Sequence, residues 1–314
     1  MKTKLTVVAP VFNEESVIAH FYERTRSVLN SIENTESQII FVVDRSTDKT
    51  VQILRDIAAR DSSVIVITLS SRFGHQMSLL AGIDYAKDAD CIVMMDSDLQ
   101  HPPELIPAML EKFTAGSDVV FTIRESTEGG SFIRRAAGNL FYKMLGAISK
   151  VPINANAADF RLISRRVAKT LSADFEERNM FLRGLFSWIG FNQDCIEYQA
   201  ERRFAGHSKY SFSRTLKLAA AGILSFSTRP LHVGIFVGVG FALLAFLYAL
   251  FSVVFFFIDR SIPSGWTTLI AALLLFSGIQ LIILGIMGAY IGGIYEEVKK
   301  RPHYIIDEVI KNHD

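Results

Sequence analysis

In the stretch IVMMDSDLQ, residues 92–100, an apolar run ends in two carboxylates separated by one residue. Such a run predicts a buried strand that stops at the edge of a sheet. Alternate residues of an extended chain point the same way, so we expect Asp96 and Asp98 to share one hard cation, with the amide of Gln100 as a further oxygen ligand. Protein-bound Mg²⁺ or Mn²⁺ typically takes one or two carboxylates and completes its shell with substrate phosphates. The alternative is that the two aspartates belong to an ordinary solvated turn.

Apolar, β-rich runs alternate with segments of helical periodicity on both sides of this strand. Strands are predicted at residues 4–10, 38–44, 64–69, 91–95 and 118–123. Helices are predicted at residues 15–31, 48–60, 76–86 and 103–115. This order predicts an α/β domain over residues 1–210 with a mostly parallel sheet and right-handed crossovers. Ligands of such sheets bind beyond the carboxyl ends of the strands, so the polar residues that close each strand are candidates for a site.

The apolar residues, which make up 50% of the chain, are concentrated after residue 229. Segments 233–258 and 266–295 carry no Asp, Glu, Lys or Arg, and each exceeds the roughly 20 residues that a helix needs to cross a bilayer. We therefore predict two transmembrane helices within residues 231–296, joined by a short turn. Basic residues lie before the first span and after the second, so the positive-inside rule predicts a multi-pass protein with both termini in the cytoplasm. Residues 297–314 are predicted to form a cytoplasmic tail.

Residues 211–230 show apolar positions at helical spacing with Arg214 and Lys217 on another face. This pattern predicts an interfacial amphipathic helix that lies on the membrane surface. The alternative is a core helix of the cytosolic domain.

Composition excludes several other classes of protein. The chain has 33 Lys and Arg against 32 Asp and Glu, so a basic face for phosphate neutralisation is not expected and no nucleic-acid partner is predicted. Cys91 and Cys195 lie far apart without metal-ligand spacing, which predicts neither a disulfide framework nor a zinc site. Several glycines in the second predicted span would let copies of the chain pack closely, so a homo-oligomer is possible.

Four ordered motifs, at residues 8–15, 41–48, 71–76 and 95–104, resemble the family 2 glycosyltransferases of GT-A fold. Further motifs at residues 159–162, 177–179, 188–191, 205–210 and 225–231 are similar to those of the polyprenyl-phosphate glycosyltransferases. The resemblance implies transfer of a single hexose, with glucose from UDP-glucose as the expected case, to undecaprenyl phosphate, with inversion at the anomeric carbon. It also implies a bacterial inner membrane protein whose lipid-linked product serves cell-envelope glycan modification.

The resemblance further implies roles for individual residues. Binding of the nucleotide sugar is expected of Pro10, Phe12, Glu14, Asp44, Asp96, Gln100, Arg203 and Lys209. The metal is expected on Asp96, Asp98 and Gln100. The acceptor phosphate is expected to meet Arg124, Arg134 and Arg135, because guanidinium forks suit phosphate oxygens. For each basic residue the alternative is a solvated charge or one that faces lipid headgroups.

Asp98 and Asp159 are the expected catalytic residues. A phosphate monoester is already mostly ionised at neutral pH, with a second pKa of about 6, so we expect Asp159 to position the acceptor rather than to remove a proton. The alternative is a structural ion pair between Asp159 and Arg161 or a neighbouring arginine.

The chain departs from the family pattern after the second predicted strand. The usual Asp-Asp-Gly-Ser turn is VDRS here, with Val43 and Arg45 in place of an acid and a glycine. If the missing carboxylate normally contacts the nucleotide sugar, Val43→Asp should strengthen binding by about 1 kcal/mol or more. Unchanged or weaker binding would mean either that the pocket has compensated or that residue 43 faces the core. The departure leaves two alternatives open: a catalytically silent nucleotide-sugar-binding membrane protein, or a transferase for another substrate such as UDP-GlcNAc or GDP-mannose.

Overall fold

The computed structural model describes residues 2–124, 157–175, 182–199, 229–258 and 265–312. The chain divides into two compact units. One comprises Met1–Met144, Val151–Tyr210 and Arg301–Asp314, and the other comprises Leu145–Lys150 and Ser211–Lys300. The first unit contains the sheet and the second contains two long helices.

The described residues of the first unit form one eight-stranded sheet. Its strands are β1 (Thr3–Val11), β2 (Thr35–Val43), β3 (Val64–Leu69), β4 (Cys91–Met94), β5 (Val119–Arg124), β6 (Ala157–Ser164), β7 (Gln193–Tyr198) and β8 (Ile306–Ile310). Its helices are α1 (Ile18–Asn30), α2 (Thr50–Arg60), α3 (His75–Ala86), α4 (Ile106–Thr114, after a 3₁₀ turn at Pro103–Leu105), α5 (Arg165–Asp174) and α6 (Leu182–Trp188). An α/β fold with a mostly parallel sheet is therefore confirmed.

The strand order across the sheet is β7-β5-β6-β4-β1-β2-β3-β8. Among these strands, β6 and β8 run opposite to the other six. The carboxyl ends of six strands therefore share one edge with the amino end of β6. Residues that are far apart in sequence meet along this edge.

The core is built from strands that are apolar on both faces, which is typical of a parallel sheet covered by helices. Val7, Ile39, Phe41 and Val93 are fully buried. Helix α3 packs so closely on β1 that a Cβ at Gly82 would lie 2.2 Å from Cγ1 of Val8. The close helix–sheet contact therefore requires glycine at this position.

The predicted helix at residues 15–31 begins later than expected, at Ile18. The backbone N–H groups of Asn13, Glu14 and Glu15 donate to side chains of the β2–α2 loop instead of opening a helix. Strands β6, β7 and β8 were absent from the sequence prediction. The segment predicted as a tail, 297–314, contributes β8, which pairs antiparallel with β3.

The second unit contains α7 (Arg229–Ile258) and α8 (Trp266–Val298). Among the described residues, one helical segment, Leu275–Val298, is long and apolar enough to cross a membrane. A shorter apolar segment, Gly234–Tyr248, lies in α7, and the rings of Phe241 and Phe276 meet edge to face at 5.6 Å. The predicted interfacial helix at 211–230 falls almost wholly outside the described residues.

Candidate active site

The carboxyl edge of the sheet brings together most of the residues predicted for the site. The residues concerned close β1, β2, β4 and β5 or open β6: Pro10, Phe12, Glu14, Asp44, Asp96, Asp98, Gln100, Arg124 and Asp159. In the antiparallel register of β4 and β6, Met94 lies opposite Arg161. Asp159 lies two residues before Arg161, near the amino end of β6. The predicted residues Arg134, Arg135, Arg203 and Lys209 lie outside the described residues.

The loops that follow β1 and β2 are locked together by hydrogen bonds. Asn13, whose φ is +54°, accepts the Thr47 N–H on Oδ1 at 2.8 Å, and its own N–H donates to Ser46 Oγ at 3.0 Å. The Glu14 N–H donates to Thr50 Oγ1 at 3.0 Å. Because Asn tolerates the left-handed backbone conformation, this residue lets the chain turn while its side chain closes the gap between the loops.

Asp48 completes this lock. Its carboxylate accepts the N–H groups of Glu15 at 3.2 Å and of Thr50 at 3.1 Å. Burial alone would raise the pKa of Asp48, but the hydrogen bonds from Thr50 and Glu15 outweigh burial and hold the pKa below its ordinary value. The negative charge of Asp48 therefore stabilises the loop geometry at neutral pH.

Asp44, predicted to contact the nucleotide sugar, is 4% exposed and holds the β3–α3 loop (residues 70–74). Its Oδ1 accepts the Phe73 N–H at 2.7 Å and its Oδ2 accepts the Gly74 N–H at 3.0 Å. Gly74 has a φ of +92°, a conformation that favours glycine. Asp44 therefore fixes the backbone that leads into α3.

The departure from the family turn has two different structural outcomes. Val43 is fully buried in the core cluster with Val11 and Val66, so its side chain does not face the edge. Arg45 adopts a φ of +41°, and its guanidinium donates to the Ser70 carbonyl. Arg45 thus contacts the β3–α3 loop from the position where the family has glycine.

The guanidinium of Arg72 stacks over the ring of Phe12 at the same edge. The guanidinium carbon of Arg72 lies 4.0 Å from the centroid of the Phe12 ring, within the range of a cation–π contact. Phe12 follows β1 and Arg72 belongs to the β3–α3 loop, so this contact joins the two segments above the carboxyl edge.

Asp96 is flanked by two histidines. Nε2 of His75, the first residue of α3, lies 2.6 Å from Asp96 Oδ1. Nδ1 of His101 accepts the Asp96 N–H at 3.0 Å, so the ring proton of neutral His101 lies on Nε2, which is 3.9 Å from Asp96 Oδ2. His101 is 6% exposed and stacks on Phe160 with ring centroids 5.2 Å apart. His101 therefore orients the first aspartate of the pair, a role that sequence reasoning missed.

Asp98 closes a tight turn after β4. Its Oδ1 accepts the Gln100 N–H at 3.2 Å, Leu99 has a φ of +63°, and Ser97 Oγ donates to the Pro10 carbonyl at 3.1 Å. This last hydrogen bond ties the turn to the end of β1. The turn thus places the side chains of Asp96 and Asp98 at the edge of the sheet, and the hydrogen bond from Ser97 to Pro10 fixes the position of the turn.

The donor set fits a divalent cation that also binds substrate phosphates. Within the described part of the chain, no three His, Cys, Asp or Glu side chains are grouped closely enough to hold a metal ion by themselves. Asp96 and Asp98 supply hard oxygen atoms, and Asp96 is about one-third exposed. A Mg²⁺ ion that is bound by only two carboxylates keeps coordination positions open for phosphate oxygens.

Tyr198 is a second site residue that sequence reasoning missed. It ends β7 opposite Arg124 of β5, is 6% exposed and packs against the rings of His101 and Phe160. Burial raises the pKa of Tyr198, and the charges of Asp96 and Asp98 raise it further against the opposing effect of Arg124. Its phenol therefore stays protonated at neutral pH. No local sequence pattern marks Tyr198, because β7 is not among the predicted strands.

Known proteins resemble this chain over nearly its whole length. The model of the family described as glycosyl transferase family 2 matches residues 6–172. An uncharacterized glycosyltransferase of Bacillus subtilis strain 168, YkcC, is 42% identical over 306 residues, which cover 96% of this chain and 93% of that protein.

Two further relatives carry a more specific description. A prophage bactoprenol glucosyl transferase homolog of Escherichia coli K12 is 38% identical over 308 residues, which cover 98% of this chain and 100% of that protein. A bactoprenol glucosyl transferase of Shigella phage SfII is 38% identical over 303 residues, which cover 96% of this chain and 97% of that protein.

Proposed function

This chain belongs to glycosyl transferase family 2, and from that premise we propose that it transfers one hexose from a nucleotide sugar to a polyprenyl phosphate. The names of the relatives from the E. coli prophage and from phage SfII support a glucosyl group and a bactoprenol carrier. The proposed substrates are UDP-glucose and undecaprenyl phosphate. The proposed product is a lipid-linked monosaccharide for cell-envelope glycan modification.

The observation that carries the proposal is the acidic pair at the carboxyl end of β4. Asp96 and Asp98, with the amide of Gln100, would hold Mg²⁺ or Mn²⁺ together with the diphosphate of the nucleotide sugar. The cation would supply Lewis-acid stabilisation of the departing nucleoside diphosphate. Pro10, Phe12 and Glu14, beside the interlocked β1 and β2 loops, would line the nucleotide pocket.

Asp159 is proposed to orient the acceptor at the same edge. Inversion follows if an oxygen of the lipid phosphate attacks the anomeric carbon on the face opposite the bond to the nucleoside diphosphate, which then leaves. Since the lipid phosphate is already an anion at neutral pH, this attack needs no general base. Arg124, together with the predicted residues Arg134 and Arg135, is proposed to neutralise the lipid phosphate, and Arg203 and Lys209 to close over the diphosphate.

The membrane part is proposed to be a two-helix hairpin with both termini in the cytoplasm of a bacterial inner membrane. The apolar segment Leu275–Val298 supports one span, and the uncharged stretch at 233–258 supports the other. A cysteine placed at residue 261 of otherwise intact protein should react with a membrane-impermeant maleimide from outside spheroplasts. A cysteine placed at residue 302 should react only after lysis, and equal labelling of both positions would contradict the hairpin.

The alternative of a silent binding protein rests on Val43 and Arg45. The buried Val43 side chain and the contact of Arg45 with Ser70 leave Asp96 and Asp98 in place, so neither departure favours loss of activity. A different sugar or nucleotide stays an open alternative, because specificity depends on the shape of the pocket.

One incubation separates these functions. Purified full-length protein is mixed with UDP-[14C]glucose, Mg²⁺ and undecaprenyl phosphate, and the lipid extract is resolved by chromatography. We expect one labelled lipid-linked monosaccharide. Polymer would indicate a processive synthase, and no product would favour a silent protein. Parallel incubations with UDP-GlcNAc and GDP-mannose test the choice of sugar.

A further inference from the structure

We propose that the carboxyl-terminal segment (residues 304–312) positions the β3–α3 loop and thereby sets the affinity for the nucleotide sugar. This inference rests on the proposed function, because it assigns a role in substrate binding to a segment that lies more than 200 residues away in sequence from the loop it contacts. The segment follows α8 along the chain and contains β8.

The segment is attached to the sheet by backbone pairing and by a partly buried hydrogen bond. Strand β8 pairs with β3, with Ile67 opposite Val309 and Leu69 opposite Ile306. The Tyr304 hydroxyl donates to Asp84 Oδ2 at 2.6 Å. Burial and the neighbouring Asp84 carboxylate raise the pKa of Tyr304, so its hydroxyl remains a hydrogen-bond donor.

The Tyr304 hydroxyl supplies a donor to one oxygen of a carboxylate in α3. The other oxygen of Asp84, Oδ1, is buried and has no hydrogen-bond partner among the residues that the structure describes. A buried carboxylate that lacks donors is costly. Removing the Tyr304 hydroxyl while the segment stays docked would therefore take a donor from a carboxylate that is only partly satisfied.

Other contacts of the segment are exposed and weaker. Arg55 and Glu308 form an ion pair whose side chains are 47% and 46% exposed, and exposed pairs of this kind add little stability. The Asn312 side chain donates to the Ala59 carbonyl at 3.2 Å. These contacts provide matched control positions.

Ser70 connects the carboxyl-terminal segment to the β3–α3 loop and so to the candidate active site. Its N–H donates to the Ile305 carbonyl at 2.9 Å, and its carbonyl accepts from the Arg45 guanidinium. Ser70, the first residue of the β3–α3 loop, is therefore held by the carboxyl-terminal segment through its N–H and by Arg45 through its carbonyl. The far end of the same loop is held by Asp44 through the N–H groups of Phe73 and Gly74.

The loop leads directly into the candidate active site. His75 follows Gly74 and contacts Asp96 at 2.6 Å, and Arg72 lies over Phe12. A displacement of the Ser70 end would therefore move Arg72 away from the Phe12 ring, while Asp44 continues to hold the residues that precede His75. A segment that merely caps the edge of the sheet would change stability without moving Arg72.

The test compares full-length protein with a variant that ends at His303. A control variant that ends at Ile310 keeps β8, and Glu308→Gln removes only the exposed ion pair. Hydrogen exchange measured by mass spectrometry should show the amides of residues 70–74 exchanging about three- to tenfold faster in the shorter variant, the range expected for loss of one or two hydrogen bonds. The KM for UDP-glucose should rise by a similar factor, while kcat and the KM for the lipid acceptor stay within twofold. Both control variants should match the full-length protein.

Two further measurements keep the inference testable if the shorter variant fails to fold. Tyr304→Phe preserves the ring and β8 but removes the bond to Asp84, and it should accelerate loop exchange in the same direction by a smaller factor. In unmodified protein, saturating UDP-glucose should slow exchange of the β8 amides, because coupling between two sites is reciprocal. A lower melting temperature with unchanged loop exchange and unchanged KM would overturn the inference. If the unmodified protein transfers no sugar, the proposed function fails, while loop exchange and calorimetric binding of UDP-glucose still decide the role of the segment.

Discussion

Val43→Asp restores the acid of the family turn and is expected to destabilise the protein rather than improve binding. Val43 is fully buried among core residues, so the change removes burial of a valine side chain, which contributes about 1.5–3 kcal/mol. It also buries a carboxyl group without a designed partner, at a cost of about 1–3 kcal/mol. The sum, about 2.5–6 kcal/mol, is a large part of the 5–15 kcal/mol typical of a folded domain.

The predicted destabilisation depends on pH in a defined direction. Burial would raise the pKa of the new carboxyl in the folded protein above its unfolded value of about 3.9. The folded state then resists ionisation, so the penalty is smallest below about pH 4 and grows as pH rises toward the folded pKa. Val43→Ala is the matched control, since it loses packing worth about 2 kcal/mol without adding a titratable group.

Chemical unfolding of both variants between pH 4 and pH 8, followed by fluorescence, measures this difference. We expect the gap between Val43→Asp and Val43→Ala to widen as pH rises. Calorimetric titration with UDP-glucose at low temperature should show no gain in affinity. A fully stable Val43→Asp protein that binds UDP-glucose about 1 kcal/mol more tightly would refute the core assignment.

Three other substitutions test the packing and the loops. Tyr198→Phe should lower the free energy of unfolding by about 1 kcal/mol and leave the pH profile of transfer unchanged, because the tyrosine stays protonated; stopped assays across pH check this. Gly82→Ala should cost about 1–3 kcal/mol, since its Cβ would lie 2.2 Å from Val8 Cγ1, whereas Gly278→Ala meets nothing within 4 Å and should not lower the melting temperature. The pKa of Asp48 is lowered in the folded protein. The ionised carboxylate therefore stabilises the folded state fully above the unfolded pKa of about 3.9, and this stabilisation is lost as pH falls through the lower folded pKa. The difference in the free energy of unfolding between the unmodified protein and Asp48→Asn should therefore shrink below about pH 4.

The first five strands could be predicted from sequence because each is built around a short apolar run, most of which is buried. Strand β3 was predicted at its observed bounds, Val64–Leu69. Since the carboxyl ends of parallel strands share one edge, the same reasoning places Asp44, Asp96 and Asp98 at that edge, where the structure also has them. This part of the site depends on local pattern and topology alone.

The remaining strands depend on partners that local pattern does not specify. Strand β8 has five residues, four of them exposed, and its identity as a strand comes from pairing with β3 far away in the sequence. Without β7, the position of Tyr198 beside Arg124 was not visible. His101 lay within a predicted motif, but its contact with Asp96 depends on the turn geometry at Leu99.

Val43 shows the limit of reading a motif by position. The family pattern suggested a missing contact to the nucleotide sugar, whereas Val43 is the last residue of β2, a strand buried on both faces, and is itself fully buried. Burial at the end of the strand therefore outweighs the motif at this residue.

Transfer by Asp98→Asn, measured beside the unmodified protein, tests the central claim most directly. Asparagine keeps an oxygen that can accept the Gln100 N–H and removes only the charge that would hold a divalent cation, so the fold and the melting temperature should be retained. With UDP-[14C]glucose, saturating Mg²⁺ and undecaprenyl phosphate, we expect a labelled monosaccharide lipid from the unmodified protein and none above background from the variant. Near-normal turnover by a folded Asp98→Asn protein would contradict the assignment of the active site to the carboxyl end of β4.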